Sequence, residues 1–141
     1  MKYIIILFLV SQVHSFANAQ PASATPEKYD VVVSFGSMCC GTVSDDFLAD
    51  FIKQFNCKNK VTIQGLQLSG CGREGEFKIL FLLNKLNTSA KKKLITGLKK
   101  LVPDQNNKNK KAKASSGPVS IDFDFSTKQL ENCSGQLAKW K

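Results

Sequence analysis

Two short apolar stretches decide the fold of this chain: YDVVVSF at residues 29–35 and FKILFLL at residues 77–83. Each is a nearly continuous run of β-branched, aromatic and aliphatic residues, which is typical of strands that are buried on both faces. We therefore expect these two stretches to form the central strands of a sheet.

The pattern around these strands switches between a helical and a strand period. Residues 47–55 and 94–102 carry apolar stripes at helical spacing, and the second helix is expected to begin at Asn87 or Thr88 and to end at Pro103. Residues 61–68 alternate with a slip at Gly65, and residues 119–126 alternate strictly, so both predict half-buried strands. The predicted order is strand, helix, strand, strand, helix, strand.

This order resembles the ferredoxin-like sandwich, an α+β fold with two helices on one face of a four-stranded antiparallel sheet of order 4-1-3-2. That topology places the two apolar stretches at the centre of the sheet. It also leaves Val32, Leu80 and Leu82 on the face away from the helices, where an apolar patch needs cover. We expect a C-terminal tail with a short helix presenting Leu130, Leu137 and Trp140 to cover it, or alternatively a second subunit in a homodimer.

The N-terminus has the pattern of a secretory signal peptide over residues 1–19. Lys2 precedes an apolar run, and Ala17 and Ala19 stand where a signal peptidase requires small residues. An uncleaved membrane anchor is the alternative, but the apolar run is much shorter than the ~20 residues that a span needs. We expect a bacterial protein exported to the periplasm or the exterior, with a linker at 20–27, a single domain at 28–141 and no transmembrane segment after cleavage.

The composition argues against an enzyme. The only histidine, His14, lies in the predicted signal peptide, so the exported chain would have no Ser-His-Asp or Cys-His pair and no histidine-bound zinc. Gly-rich phosphate loops and nucleophile elbows are also missing from the sequence. We expect no catalytic activity and no cofactor.

Five cysteines in an exported chain indicate disulfides with one thiol left over. The predicted topology puts the turn of Cys39 and Cys40 beside the turn of Cys71, and the end of the first helix near the end of the last strand. We therefore predict one disulfide between Cys57 and Cys133, and a second between Cys71 and one of the adjacent pair, with Cys40 bonded and Cys39 free as one assignment.

The turn Gly36-Ser37-Met38-Cys39-Cys40-Gly41 between a strand and a helix is similar to the metal-binding turn of copper-chaperone, heavy-metal-associated domains. That family separates its two thiolates by two residues, whereas here they are adjacent. The resemblance implies soft-metal binding through Cys39 and Cys40, with Cys71 or Met38 as a further ligand. Thiol-redox exchange at the same turn is a second implication.

Positive charge exceeds negative charge, with 20 Lys and Arg against 11 Asp and Glu. We expect residues 104–117 to be a mobile loop rich in Lys and Asn, with four lysines that are candidates for binding an anionic partner: Lys108, Lys110, Lys111 and Lys113. The chain has one arginine, Arg73, and its phenylalanines mostly lie on predicted core faces, which speaks against specific nucleic-acid recognition.

These patterns together predict an exported, disulfide-stabilised binding or accessory module without enzymatic activity, whose partner is an unidentified protein or an anionic envelope component. Two alternatives are a soft-metal carrier or thiol-redox protein that uses the Cys39-Cys40 turn, and an envelope or anionic-polymer binder that uses Lys108 to Lys113.

Overall fold

The computed structural model describes residues 26–39, 41–73, 75–112 and 116–141. The elements in chain order are β1 (Lys28–Phe35), α1 (Asp46–Asn59), β2 (Gly65–Ser69), β3 (Phe77–Phe81), α2 (Thr88–Lys111), β4 (Val119–Ser126), a 3-10 helix η1 (Thr127–Leu130) and β5 (Leu137–Trp140). The predicted signal peptide at 1–19 and most of the predicted linker at 20–27 lie outside the described residues, as do Cys40 and Lys113.

The sheet has five antiparallel strands in the order β4-β1-β3-β2-β5. The α+β class and the predicted order of the first four strands are confirmed. The prediction of four strands is wrong, because residues of the C-terminal tail add β5 to the edge of β2. With this extra strand, the ferredoxin-like description fits the sheet only loosely.

The main core lies between the sheet and the two helices. Val31 and Val33 of β1 are fully buried there, and Phe35 stacks on Phe77 of β3 with ring centroids 4.4 Å apart. The helices contribute their predicted apolar stripes, whose buried members are Leu48, Ile52 and Phe55 of α1 and Leu94, Leu98 and Val102 of α2. Continuous burial explains why β1 and β3 were recognisable from sequence.

Helix α2 does not end at Pro103 but continues to Lys111. The predicted loop over 104–117 is therefore wrong for residues 104–111, which are helical. The side chain of Asn106 holds this second half against β4, since it accepts from the backbone N of Val119 at 2.9 Å and donates to the Val119 carbonyl at 2.7 Å. A proline inside a helix removes one hydrogen bond, and this contact to the sheet offsets the loss.

Strand β4 does not alternate strictly to its end. Asp124 has a φ of 52°, in the left-handed region that non-glycine residues seldom adopt. Phe123 packs against the helix-side core, whereas Phe125 packs on the opposite face with Tyr29 and Val32. Strict alternation would place Phe123 and Phe125 on the same face of the sheet. This expectation is wrong, because the left-handed backbone conformation at Asp124 directs the two side chains to opposite faces.

The face of the sheet away from the helices is covered by the chain itself. The open-face cluster consists of Tyr29, Val32, Leu68, Leu80 and Phe125, and Leu130 of η1 and the half-buried Cys71 and Cys133 pack against it. Val32 and Leu80 are 0% and 1% exposed, whereas Leu82, the third residue of the predicted patch, is 37% exposed, so the chain covers most of the patch and the homodimer stays a prediction. Cover by Leu130 is as predicted, whereas Leu137 stays exposed.

Trp140 does not join the open-face cluster but crosses to the helix side of the sheet. Its ring meets Phe81 edge-on at 5.6 Å, and its Nε1 donates to Asp45 at 2.5 Å. Gly65 lies opposite Trp140 in the β2–β5 pair, and a Cβ on Gly65 would come within 2.6 Å of the Trp140 ring. Hydrogen bonds to Asp45 and Asp46 raise the pKa of the neighbouring Lys141 to about 12. Trp140 and Lys141 therefore connect the edge strand β5 to the start of α1 by hydrogen bonds.

Candidate functional site

The turn that carries Met38 and Cys39 meets the β2–β3 turn at one end of the sheet, as the predicted topology requires. The backbone N of Ser37 donates to a carboxylate oxygen of Glu76 at 3.0 Å, and Nη1 of Arg73 donates to the carbonyl of Met38 at 3.4 Å. Sequence reasoning therefore placed the two cysteine-bearing turns correctly.

The disulfide bond, however, joins Cys71 to Cys133. Both predicted pairings are wrong, since Cys133 does not bond to Cys57 and Cys71 does not bond to Cys40. Cys57 is exposed on α1 and lies outside the disulfide.

The physical reason for this pairing is the path of the chain after β4. The segment after η1 crosses the open face and reaches the β2–β3 turn, where the backbone N of Ser134 donates to Gly70 at 2.9 Å and that of Gly135 donates to Ser69 at 3.1 Å. These bonds bring Cys133 to Cys71, far from the end of α1.

This disulfide changes the predicted metal site. Cys71 has no thiolate to offer while it is bonded to Cys133, and Met38 is 63% exposed at the rim of the turn. Cys39 is also exposed, and Cys40 is outside the described residues. Within the described part of the chain, no group of three or more His, Cys, Asp or Glu side chains is arranged to hold a metal ion. Among the described residues, Cys71 is therefore not available as the predicted further ligand, and soft-metal binding at the Cys39-Cys40 turn stays a prediction.

Among the described residues, exposed lysines are most numerous on α2, where seven of the eight lysines are exposed. We call these seven the α2 lysine face: Lys92, Lys93, Lys99, Lys100, Lys108, Lys110 and Lys111. At 3.6 residues per turn and 1.5 Å per residue, they spread over about half of the helix circumference and along about 28 Å of its length. Three of the four predicted anion-binding lysines belong to this face, and the fourth, Lys113, is outside the described residues.

Little negative charge opposes the α2 lysine face. Asp104 is the only acidic residue of α2. Among the described residues, none of the seven lysines forms an ion pair, and Lys99 instead lies over the ring of Phe123 at 5.0 Å. A set of like charges on one rigid element produces an extended positive potential at the surface.

The helix that carries this face is fixed at both ends. At its start, the side chain of Asn87, one of the two predicted starting residues, accepts from the backbone N of Ala90 at 2.8 Å as an N-cap. In the first turns, Lys91 donates to Asp30 of β1. At the far end, Asn106 binds both backbone groups of Val119. These contacts fix the position of α2, and with it the backbone positions of its lysines, relative to the sheet.

Asp30 is the acidic partner that anchors α2. Its carboxylate accepts from the backbone N of Leu83 at 2.6 Å as well as from Lys91. Burial by itself would raise the pKa of Asp30, but the hydrogen bond from Lys91, the hydrogen bond from Leu83 and the charge of Lys91 together lower the pKa below its ordinary value. Asp30 therefore stays ionised and holds the Lys91 ammonium in an ion pair, so Lys91 is not part of the α2 lysine face.

No protein-family model, curated protein or solved structure matches this chain. Neither described helix combines the length and the apolar character that would let it cross a membrane.

The sequence identified Lys108, Lys110 and Lys111 as candidates but did not show that they lie on a helix. The loop predicted over 104–117 kept Lys108, Lys110 and Lys111 off the helix, so they were not placed on one element with Lys92, Lys93, Lys99 and Lys100. The signal that could have joined them is Asn106, a side chain able to bond the start of β4, but its partner Val119 is 13 residues away and only the folded structure shows the contact.

Proposed function

We propose that this protein is an exported, non-enzymatic binding module whose α2 lysine face binds a linear anionic polysaccharide of the cell envelope. One observation carries the proposal: seven exposed lysines, opposed by a single aspartate, stand on one continuous helix that is fixed to the sheet through Lys91 and Asn106. Export and the absence of catalysis are parts of this proposal, and they are supported by the leader pattern and by the lack of histidine after residue 14.

The chemistry of the face favours a polysaccharide over a membrane. Helices that lie on membranes bury apolar side chains between the acyl chains, whereas the buried apolar residues of α2 are all used in the protein core. The exposed large hydrophobic residues of the described chain are Met38, Leu82 and Leu137, and none of them is on α2.

The residue types also favour a repeating polyanion over a specific nucleic acid. Lysine presents a compact charge without the fixed fork by which arginine recognises bases and phosphates. Two aromatic side chains lie beside the face, and both are half-buried: Phe123 beneath Lys99, and Phe47 in a concavity that it shares with Lys108 and Lys111. Half-buried rings offer less open surface for base stacking than exposed ones. A row of point charges matches a polymer that carries one negative group per sugar.

The proposal is tested by measuring binding of the purified exported chain to alginate, with uncharged dextran as the control polymer. We expect alginate binding that weakens steeply between about 50 and 200 mM salt, because counterions compete for exposed charges. The double variant Lys99→Glu/Lys100→Glu should lose at least about tenfold in affinity, since it reverses two charges at the centre of the face.

The matched control is Lys53→Glu/Lys58→Glu, which makes the same change in net charge at two exposed lysines of α1. We expect this control to lose much less affinity than the α2 variant. Equal losses in both variants would show that only net charge matters and would contradict a defined site on α2.

A further inference from the structure

A concavity lies away from the α2 lysine face, between the segment before β2 and the segment after β3. We call it the β2–β3 cleft, and its volume is about 560 Å³, within the range of small-molecule sites. Its apolar lining consists of Val61, Ile63, Leu66, Leu82 and Leu86. Leu82 is 37% exposed. The cleft therefore has an apolar surface that the alkyl chain of a ligand could cover.

The walls of the cleft are fixed by hydrogen bonds. On one side, the side chain of Asn56 accepts from the backbone N of Ile63 at 3.0 Å and donates to its carbonyl at 3.3 Å. On the other side, the backbone N of Leu83 donates to Asp30 at 2.6 Å, and that of Leu86 donates to the Leu83 carbonyl at 3.0 Å. The cleft is therefore preformed, and binding would cost little ordering of the protein.

The charged residues of the cleft are all positive. Lys60 and Lys85 lie among its lining residues, both are exposed, and no Asp or Glu is among them. Neither lysine forms an ion pair with a described residue. An apolar floor with two unopposed ammonium groups is complementary to a molecule that has an apolar chain and one anionic end.

We propose that the β2–β3 cleft binds a free fatty carboxylate, with its alkyl chain over Leu82 and the neighbouring apolar residues and its carboxylate at Lys60 and Lys85. A free fatty acid fits better than a lipid bilayer, because a flat membrane surface cannot fill a concavity between two loops. The two oxygens of a single carboxylate provide one acceptor for each of the two lysines. This site is independent of the proposed polysaccharide binding on α2.

The test is isothermal titration calorimetry of the full exported chain with decanoate, kept below its micelle concentration, and with decanol as an uncharged ligand of the same chain length. We expect decanoate to bind with a stoichiometry of one and decanol to bind at least about tenfold more weakly. Leu82→Glu should weaken decanoate by about tenfold or more, because it removes apolar contact and adds a repelling charge.

Lys60→Gln/Lys85→Gln is the second variant, and it keeps the stem contacts of both lysines while removing their charges. It should weaken decanoate binding by about tenfold and leave decanol unchanged. Lys99→Gln/Lys100→Gln on α2 is the matched control with the same loss of charge, and it should change decanoate affinity by less than about twofold. Circular dichroism of each variant establishes that it is folded.

Three results would overturn the proposal: no decanoate binding to the unaltered chain, equal affinity for decanoate and decanol, or decanoate affinity unaffected by both cleft variants. Binding to phosphatidylglycerol vesicles that depends on Leu82, in the absence of decanoate binding, would also overturn it and would make a lipid surface the partner. Failure here leaves the alginate experiment unaffected, since that experiment alters only α2 and α1.

Discussion

The two faces of the sheet are covered in different ways. On one face, α1 and α2 bury interlocking aliphatic and aromatic side chains, and Leu94 and Leu98 are completely inaccessible to solvent. On the other face, the segment from η1 to Cys133 supplies one aliphatic side chain, Leu130, together with a disulfide. The helix face is therefore stabilised by packing, whereas the open face depends on a covalent link.

Truncating one leucine on each side should produce the largest contrast between the two faces. Leu98→Ala removes a fully buried side chain and should lower the free energy of unfolding by about 2–5 kcal/mol, since Leu98 is 0% exposed. Leu130→Ala removes a half-buried one and should cost about 1 kcal/mol. Denaturant unfolding under non-reducing conditions measures both, and equal losses would contradict the difference in packing.

Removing the covalent link should affect the open face more than the helix face. Cys71→Ser/Cys133→Ser opens a link across 62 residues and should cost about 2–4 kcal/mol. We expect amide hydrogen exchange to increase in η1 and at Ser134 and Gly135, while the amides of α2 stay protected. Cys57→Ser is the control and should leave stability nearly unchanged, because Cys57 is exposed and outside the disulfide. Loosening that is strongest in α2 would contradict the account.

A smaller effect is expected where the second half of α2 is attached to β4. Asn106→Ala removes two hydrogen bonds to Val119 and should cost about 1–2 kcal/mol. It should also reduce the helical circular dichroism signal, since residues 104–111 have no buried hydrophobic side chain of their own. Asn107→Ala is the matched control on the exposed side. An unchanged helix content in Asn106→Ala would show that the helix continues past Pro103 without this contact.

The smallest effect is expected at the ion pair between Asp30 and Lys91. The pKa of Asp30 is lowered in the folded state from an ordinary value of 3.8, so its contribution is fully present above that ordinary value and is lost as the pH falls through the lowered pKa. Asp30→Asn should therefore cost about 1 kcal/mol or less near neutral pH. The difference from the unaltered protein should shrink below about pH 4. Unfolding curves across pH measure it, and a difference that grows toward low pH would contradict the sign.

The helix face was predictable from sequence because its information is local. The runs of β1 and β3 and the stripes of α1 and α2 each specify their own burial, whereas the strand order β4-β1-β3-β2 was implied by the resemblance to the ferredoxin-like sandwich. Trp140, by contrast, was expected on the open face, and its place against Phe81 depends on Gly65, a residue far away in sequence.

The open face and the end of α2 were not predictable, because contacts between distant residues decide them. Cys133 reaches Cys71 only because Ser134 and Gly135 bond the β2–β3 turn. The alternating pattern of residues 119–126 does not reveal that the left-handed backbone at Asp124 places Phe123 and Phe125 on opposite faces of the sheet. For the candidate site, the charges could be read from the sequence, but their arrangement on one helix could not.

The most direct test of the α2 lysine face is nuclear magnetic resonance of the labelled exported chain during titration with alginate fragments. We predict chemical-shift changes concentrated on Lys92, Lys93, Lys99, Lys100, Lys108, Lys110 and Lys111 and their backbone amides, with reversal when salt is raised. Changes concentrated at the Cys39 turn or on α1, or no change on α2, would contradict the proposed function.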